Sequence, residues 1–261
     1  MNGYKKLKNQ PLKFVLAEFR FSQVMQIADY IPKIQEALRK QYPISNKTSE
    51  QAVQVQPGGV AVSVSTVDRW AFLSANKKSA VDINQERLIY ITTEYARFDG
   101  FSDVCKQALE TLADIVDPSL ILRVGLRYSD LVVIDDGETL SDLVNDHFGF
   151  PQCINTLGKA QHQSTETFLN TAIGGLAIRT LYGQHNLTCL PDVQGLPVQI
   201  KADPTPSERI ILDFDHFWEA KEESVGFEIN EVLEKLSALH KTSREAFWKI
   251  TTDRARNEKW A

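Results

Sequence analysis

The chain has 261 residues, 43% apolar and 24% charged, which is globular composition with enough length to bury a core and excludes a disordered or fibrous chain. Its 34 acidic and 29 basic residues leave a net charge of −5, which argues against wholesale wrapping of nucleic acid while leaving room for a local basic patch. No stretch approaches the roughly 20 apolar residues of a membrane helix, no apolar segment follows the N-terminal lysines, and Cys105, Cys153 and Cys189 make neither a disulfide framework nor a metal knuckle.

Residues 14–21 alternate and are rich in β-formers, which predicts a strand. Ile31, Ile34, Ala37 and Leu38 recur at helical spacing over 30–42, with Pro32 read as a first-turn residue and Pro43 as the stop. Several short strands are expected over 51–95, with a hairpin at Pro57-Gly58-Gly59. Val104, Ala108, Leu112 and Ile115 mark an amphipathic helix over 101–116, capped by Ser102 or Asp103. A strand follows at 120–134 and a helix at 138–148. Strands then run across 164–215 with a hairpin at Gly174-Gly175, and a last helix covers 227–251 with Val232, Leu236, Leu239 and Phe247 on its apolar side.

Three short matches recur in the same order, at separations that widen along the chain. Residues 11–24 resemble 119–131, with Phe19-Arg20-Phe21-Ser22 opposite Leu126-Arg127-Tyr128-Ser129; 57–65 resemble 173–181; 86–98 resemble 208–220. The expected fold is therefore α+β, built from two similar β-α-(β)n-α units over 1–118 and 119–261. Each unit is an antiparallel sheet with helices on one face, and the two sheets are able to join as one saddle. A helix-grip or TATA-binding-protein-like duplication has this shape, by analogy.

Other strings carry a family resemblance: EFRF at 18–21, YPI at 42–44, RWAFLS at 69–74, RVGLRYSDL at 123–131, LDFDHFW at 212–218 and LHKTSREAFWKIT at 239–251. They resemble a family of bacterial proteins of similar length, sporadically distributed among genomes and without an established activity. Ser129-Asp130 stands where that family leads one to expect an asparagine. The resemblance implies a bacterial, cytoplasmic protein, and the sporadic distribution suits a role in mobile elements or phage defence. The size and class also bring CRISPR RNA-processing endonucleases to mind, but their Gly-rich C-terminal loop is missing here and the net charge has the wrong sign.

Strand alternation puts Glu18 and Arg20 on one face of the first strand, and Arg123, Gly125, Arg127 and Ser129 on one face of the first strand of the second unit. Glu18, Arg20, Arg123 and Arg127, joined by Arg179, are expected to converge on the uncovered face of the sheet. Guanidinium forks there suit carboxylate or phosphate. The structural alternative is that Glu18 pairs with Arg127 or Arg20 and fixes register. Asp213 and Asp215, two apart on one strand, suggest either a solvated strand face or the carboxylate pair of a magnesium-dependent nuclease or phosphoesterase. The five histidines show no ligand spacing, and His240 reads as packing. The leading expectation is a binding or assembly protein with no cofactor, no metal and no membrane partner. Its ligand is an anionic molecule or a protein; nucleic acid and self-association stay open.

Overall fold

The apolar alternation of the first strand is satisfied at the centre of a single sheet. The computed structural model describes residues 4–55, 62–193, 195–201, 204–221 and 224–261. Its strands are β1 (Leu12–Phe21), β2 (Ile44–Val55), β3 (Val62–Leu73), β4 (Ser79–Ile83), β5 (Arg87–Thr92), β6 (Ile121–Val133), β7 (His162–Asn170), β8 (Gly175–His185) and β9 (Ser207–Glu219). Between and after them lie α1 (Ile27–Leu38), α2 (Phe98–Val116), the one-turn α3 (Leu140–Leu143) and α4 (Ile229–Ile250). The nine strands form one antiparallel sheet in the order β2-β3-β4-β5-β1-β6-β9-β8-β7, so the protein is mixed α+β. The expected pair of sheets is thus a continuous one. Segments 1–118 and 119–261 meet at β1 and β6, which pair from Leu12↔Asp130 to Phe21↔Ile121.

Period-two alternation decides which side chains lie under the helices. Val15, Ala17, Phe19 and Phe21 of β1 join Val124, Leu126 and Tyr128 of β6 and Leu212 and Phe214 of β9 in the main core. The buried faces of α1, α2 and α4 close over it. That core runs through both segments. On the opposite face, Phe14, Ile89 and Ile91 are covered by Val193, Leu196 and Val198 of the β8–β9 connection, which docks through the Gln199 amide on the Lys77 carbonyl at 2.9 Å. The face expected to be open is partly roofed, because a loop rich in apolar residues has nowhere else to bury them.

Element ends depart from the expected ones for local reasons. α1 begins at Ile27, so Pro32 sits in the second turn, not the first. α2 begins at Phe98, earlier than expected. Ser102 and Asp103 are inside it, and its N-cap is the extended Arg97 without a side-chain cap. The helix expected over 138–148 shrinks to α3 plus a 3₁₀ turn at Asp146–Phe148. Thr139 and Asp142 form a capping box, but Val144 is drawn back into extended backbone and bridges Thr251. The Pro57-Gly58-Gly59 hairpin falls outside the described residues. At the β7–β8 turn, a Cβ on Gly174 would lie 2.0 Å from the Phe217 carbonyl oxygen, so only glycine fits there. Among the described residues, no helix is long and apolar enough to cross a membrane.

α4 is tied to the sheet by polar as well as apolar contacts. His216 of β9 is fully buried, and its Nδ1–H donates to the Leu239 carbonyl at 3.1 Å. Nε2 then accepts from the Thr171 hydroxyl at 2.9 Å. Burial lowers the pKa of His216 and keeps it neutral, as this tautomer requires. The Arg256 guanidinium donates to the Trp248 carbonyl at 2.7 Å, placing a cation at the end of α4 where the helix dipole is negative. Under α4, Asp130 of β6 is also buried, and burial together with the charge of Asp213 pushes its carboxyl up to about 8.

Two outcomes are expected. Leu236→Ala, in the fully buried seam of α4, should cost about 2–5 kcal/mol by denaturant unfolding. Asp130 has its folded-state pKa raised above its unfolded value, so between roughly pH 4 and pH 8 the native state binds the extra proton and stability falls as pH rises. Asp130→Asn should remove that loss, and the gap between variant and parent should widen by at most about 1.4 kcal/mol per pH unit across the window.

Candidate anion-binding groove

The central pairing places the candidate side chains. Glu18 lies opposite Gly125, Arg20 opposite Arg123 on one side and Arg87 on the other, and Leu16 opposite Arg127. All of these except Leu16 and Gly125 are charged, and all share the sheet face away from the helices. There they line a groove of about 460 Å³, closed on one side by Asp192 and Leu196 of the β8–β9 connection. Gly125 forms part of its lining. A Cβ there would touch the Glu18 side chain at 3.6 Å, so the missing side chain leaves space beside the carboxylate.

One end of the groove is basic. The Glu18 carboxylate accepts from Arg20 Nε at 2.8 Å, while Arg87 and Arg123 approach it only to 3.7 and 4.0 Å, beyond hydrogen-bond length. The guanidinium carbon of Arg123 lies over the Phe217 ring, 4.1 Å from its centroid, and Arg123 Nε reaches Glu219 at 3.7 Å. The Nε atoms of Arg87 and Arg123 are buried and have no hydrogen-bond acceptor. One carboxylate therefore faces three guanidinium groups and satisfies one of them.

The other end is acidic and closed. Asp213 of β9 has a side chain 0% exposed, and Arg127 Nε donates to both its oxygens at 3.0 Å while Arg179 donates to Oδ1 at 2.8 Å. Asp192 bridges the same two arginines at 3.0 Å each, and Asp215 lies 3.8 Å from Arg179. Partial burial raises Asp192, but Arg127 and Arg179 outweigh it and hold the carboxyl below its ordinary range. Burial opposes the charge on Arg127, yet Asp213 and Asp192 overcome it and raise its pKa. Desolvation, the largest influence, pushes the Asp213 carboxyl up, opposed by the two guanidinium groups, whose two donor nitrogens make three hydrogen bonds to it.

Two expectations are corrected here. Arg127 does not meet Glu18: strand register sets it beside Leu16, and its partner is Asp213, the diagonal neighbour on β9. Asp213 and Asp215 do point the same way, but Asp213 is buried in an arginine clamp, so the pair is no solvated strand face. Among the described residues, no group of three or more His, Cys, Asp or Glu is placed to hold a metal ion. Arg179 joins Arg127, and Arg20 joins Arg123 and Glu18, so the expected cluster is divided into two. Sequence reasoning missed Arg69, which pairs with Asp82 at 3.0 Å, and also Arg87 and Asp192. Alternation in 87–91 carries a signal for Arg87 once β5 is known to pair with β1; Asp192 lies in a loop with no periodicity to read.

Comparison with protein-family models finds no match, and comparison with curated proteins finds none either. Arg127→Gln should strand the buried Asp213 with Arg179 alone, and a loss of about 3–5 kcal/mol in unfolding free energy is expected. Asp192→Asn, at the half-exposed edge of the cluster, should cost within about 1 kcal/mol by the same measurement.

Proposed function

We propose that the protein is a binding protein whose sheet groove takes an anionic group, carboxylate or phosphate, on Arg20, Arg87 and Arg123. The observation that carries this reading is the unequal count at Glu18: three guanidinium groups around one carboxylate, with two buried Nε donors unserved. Buried donors without acceptors are rare in folded proteins, and a planar anion supplies two acceptors in the geometry a guanidinium fork requires. The Arg127–Asp213–Arg179 cluster then serves as the rigid end wall of the groove. The nuclease or phosphoesterase reading has no comparable support, because a cation at Asp213 would have to displace two arginines.

The proposal extends to an internal duplication. If Phe19 corresponds to Leu126, then Glu18 corresponds to Gly125, and these two residues pair with each other across β1 and β6. The pairing is thus symmetric about that point, as expected of two halves related by a local two-fold axis. Each segment also places its last strand, β5 or β9, beside its own first strand and ends in a long helix. On this reading the groove sits on the pseudo-axis, with Glu on one side of it and Gly on the other. Membership of the sporadic bacterial family, resting on RVGLRYSDL at 123–131, is part of the same proposal, as are a cytoplasmic setting and a role in mobile elements or phage defence.

Calorimetric titration with citrate, inorganic phosphate and a short single-stranded RNA tests the groove. At least one should bind, and binding should weaken as salt is raised, since the site is partly exposed. Arg87→Gln and Arg123→Gln should each weaken it by about tenfold or more, roughly 1.4 kcal/mol, while shifting stability by less than about 1 kcal/mol. Binding by none of the three probes, or binding indifferent to both substitutions, would overturn the assignment.

A further inference from the structure

A second cavity, of about 350 Å³, lies on the helical side of the sheet, away from the groove. It is bounded by α4, the 95–99 segment entering α2 and the N-terminal residues 4–12, and Tyr128, Asp130 and Phe214 line it from the sheet. Asp130 is only 5% exposed, and its carboxyl accepts no hydrogen bond from any described residue. Burial and Asp213 push it up to about 8, the behaviour of an acid that lacks a donor or counter-ion. Among the described residues its side chain forms no ion pair, so both oxygens are available to a molecule in the cavity.

The neighbouring groups are fixed and mostly aromatic. The Tyr128 hydroxyl shares a 2.8 Å hydrogen bond with His240 Nδ1, and the His240 ring lies parallel to Phe98 at 4.0 Å. Burial, helped by Arg244 and Lys241, lowers His240 to about 3 and keeps it neutral. Tyr95 meets the Tyr128 ring edge-on at 5.8 Å. Arg244, four residues beyond His240 on α4, lies over the Tyr4 ring at 4.3 Å, and its buried Nε has no acceptor. Basic residues lining the cavity, Lys6 and Lys241 among them, outnumber acidic ones by five to two.

We infer that this cavity binds a small flat molecule that presents two adjacent N–H donors to Asp130 and an anionic group to Arg244. Asp130 keeps its proton below about pH 8 in the free protein and gives it up on binding, so that the carboxylate accepts a paired N–H edge through both oxygens. Aromatic walls favour a flat face, and the surplus of cations calls for a negative tail. A guanine nucleotide and a guanidino acid both carry this chemistry. The site lies on the other face from the groove and does not depend on how the groove is read.

Calorimetry on the full chain with GMP and with L-arginine tests the inference and separates the two sources. One of them should bind at a single site. The analogue lacking the anion, guanosine or agmatine respectively, should bind at least about tenfold more weakly, as should the parent ligand to Asp130→Asn, for the loss of one charge-assisted contact. Arg244→Gln should weaken the anionic ligand but not its neutralised analogue. A thermal melt confirms that each variant is folded, and Arg244→Gln carries the test should Asp130→Asn not fold. Failure of both GMP and L-arginine to bind at millimolar concentration, or binding unchanged by the substitutions, would overturn it.

Discussion

The antiparallel pairing of β1 with β6 is the contact on which the rest of the molecule is built. It joins strands more than 100 residues apart in sequence into the middle of the sheet, so it carries a large loop-closure cost that must be met by what it buries. Val15, Ala17, Phe19 and Phe21 on one strand and Val124 and Leu126 on the other lie almost wholly out of water beneath the helices. A one-residue slip would exchange these for Glu18, Arg20, Arg123 and Arg127, so register here is strongly specified. The same register that buries the apolar face creates the charged one. The groove is a by-product of packing on its other side.

Charge in this protein is sorted by depth rather than spread over the surface. Asp213 is buried yet surrounded by donors, which makes the Arg127–Asp213–Arg179 cluster a rigid brace; removing one member would cost far more than the intact cluster contributes. Glu18 is less buried and outnumbered by arginines, so donors there remain unused. Asp130 is buried and, among the described residues, its carboxyl has no hydrogen-bond or ion-pair partner. Three carboxylates on neighbouring central strands thus stand in three electrostatic conditions, and of the three only Asp213 has both oxygens met by guanidinium donors.

The β8–β9 connection adds a further constraint. Its apolar residues cover Phe14, Ile89 and Ile91, and its Asp192 sits against Arg127 and Arg179. Carboxylates from the chain itself hold Arg127 and Arg179 at that end, whereas Arg87 and Arg123 at the other end make no hydrogen bond to Glu18. The groove is consequently polarised along its length, and a ligand with one anionic end would enter in one orientation.

Much of this was legible from residue order. Alternation in 14–21 and 120–134 determined strands and which side chains share a face, and the spacing of Val232, Leu236 and Leu239 determined an apolar helix at the end, because such periodicities are local properties of backbone geometry. They also placed Glu18, Arg20, Arg123, Arg127 and Arg179 on sheet faces that could meet. Only the tertiary structure decided partners. Glu18 on β1 and Asp213 on β9 both lie diagonal to Arg127, and Arg127 turns to Asp213, which Arg179 also holds, while Glu18 is taken by Arg20. Likewise Asp130, His240 and Arg244 face one cavity because α4 crosses β6 at that point. Choice of partner depends on strand order, register and loop path, each set by the sum of long-range burial, and a single sequence states the faces without stating what lies across from them.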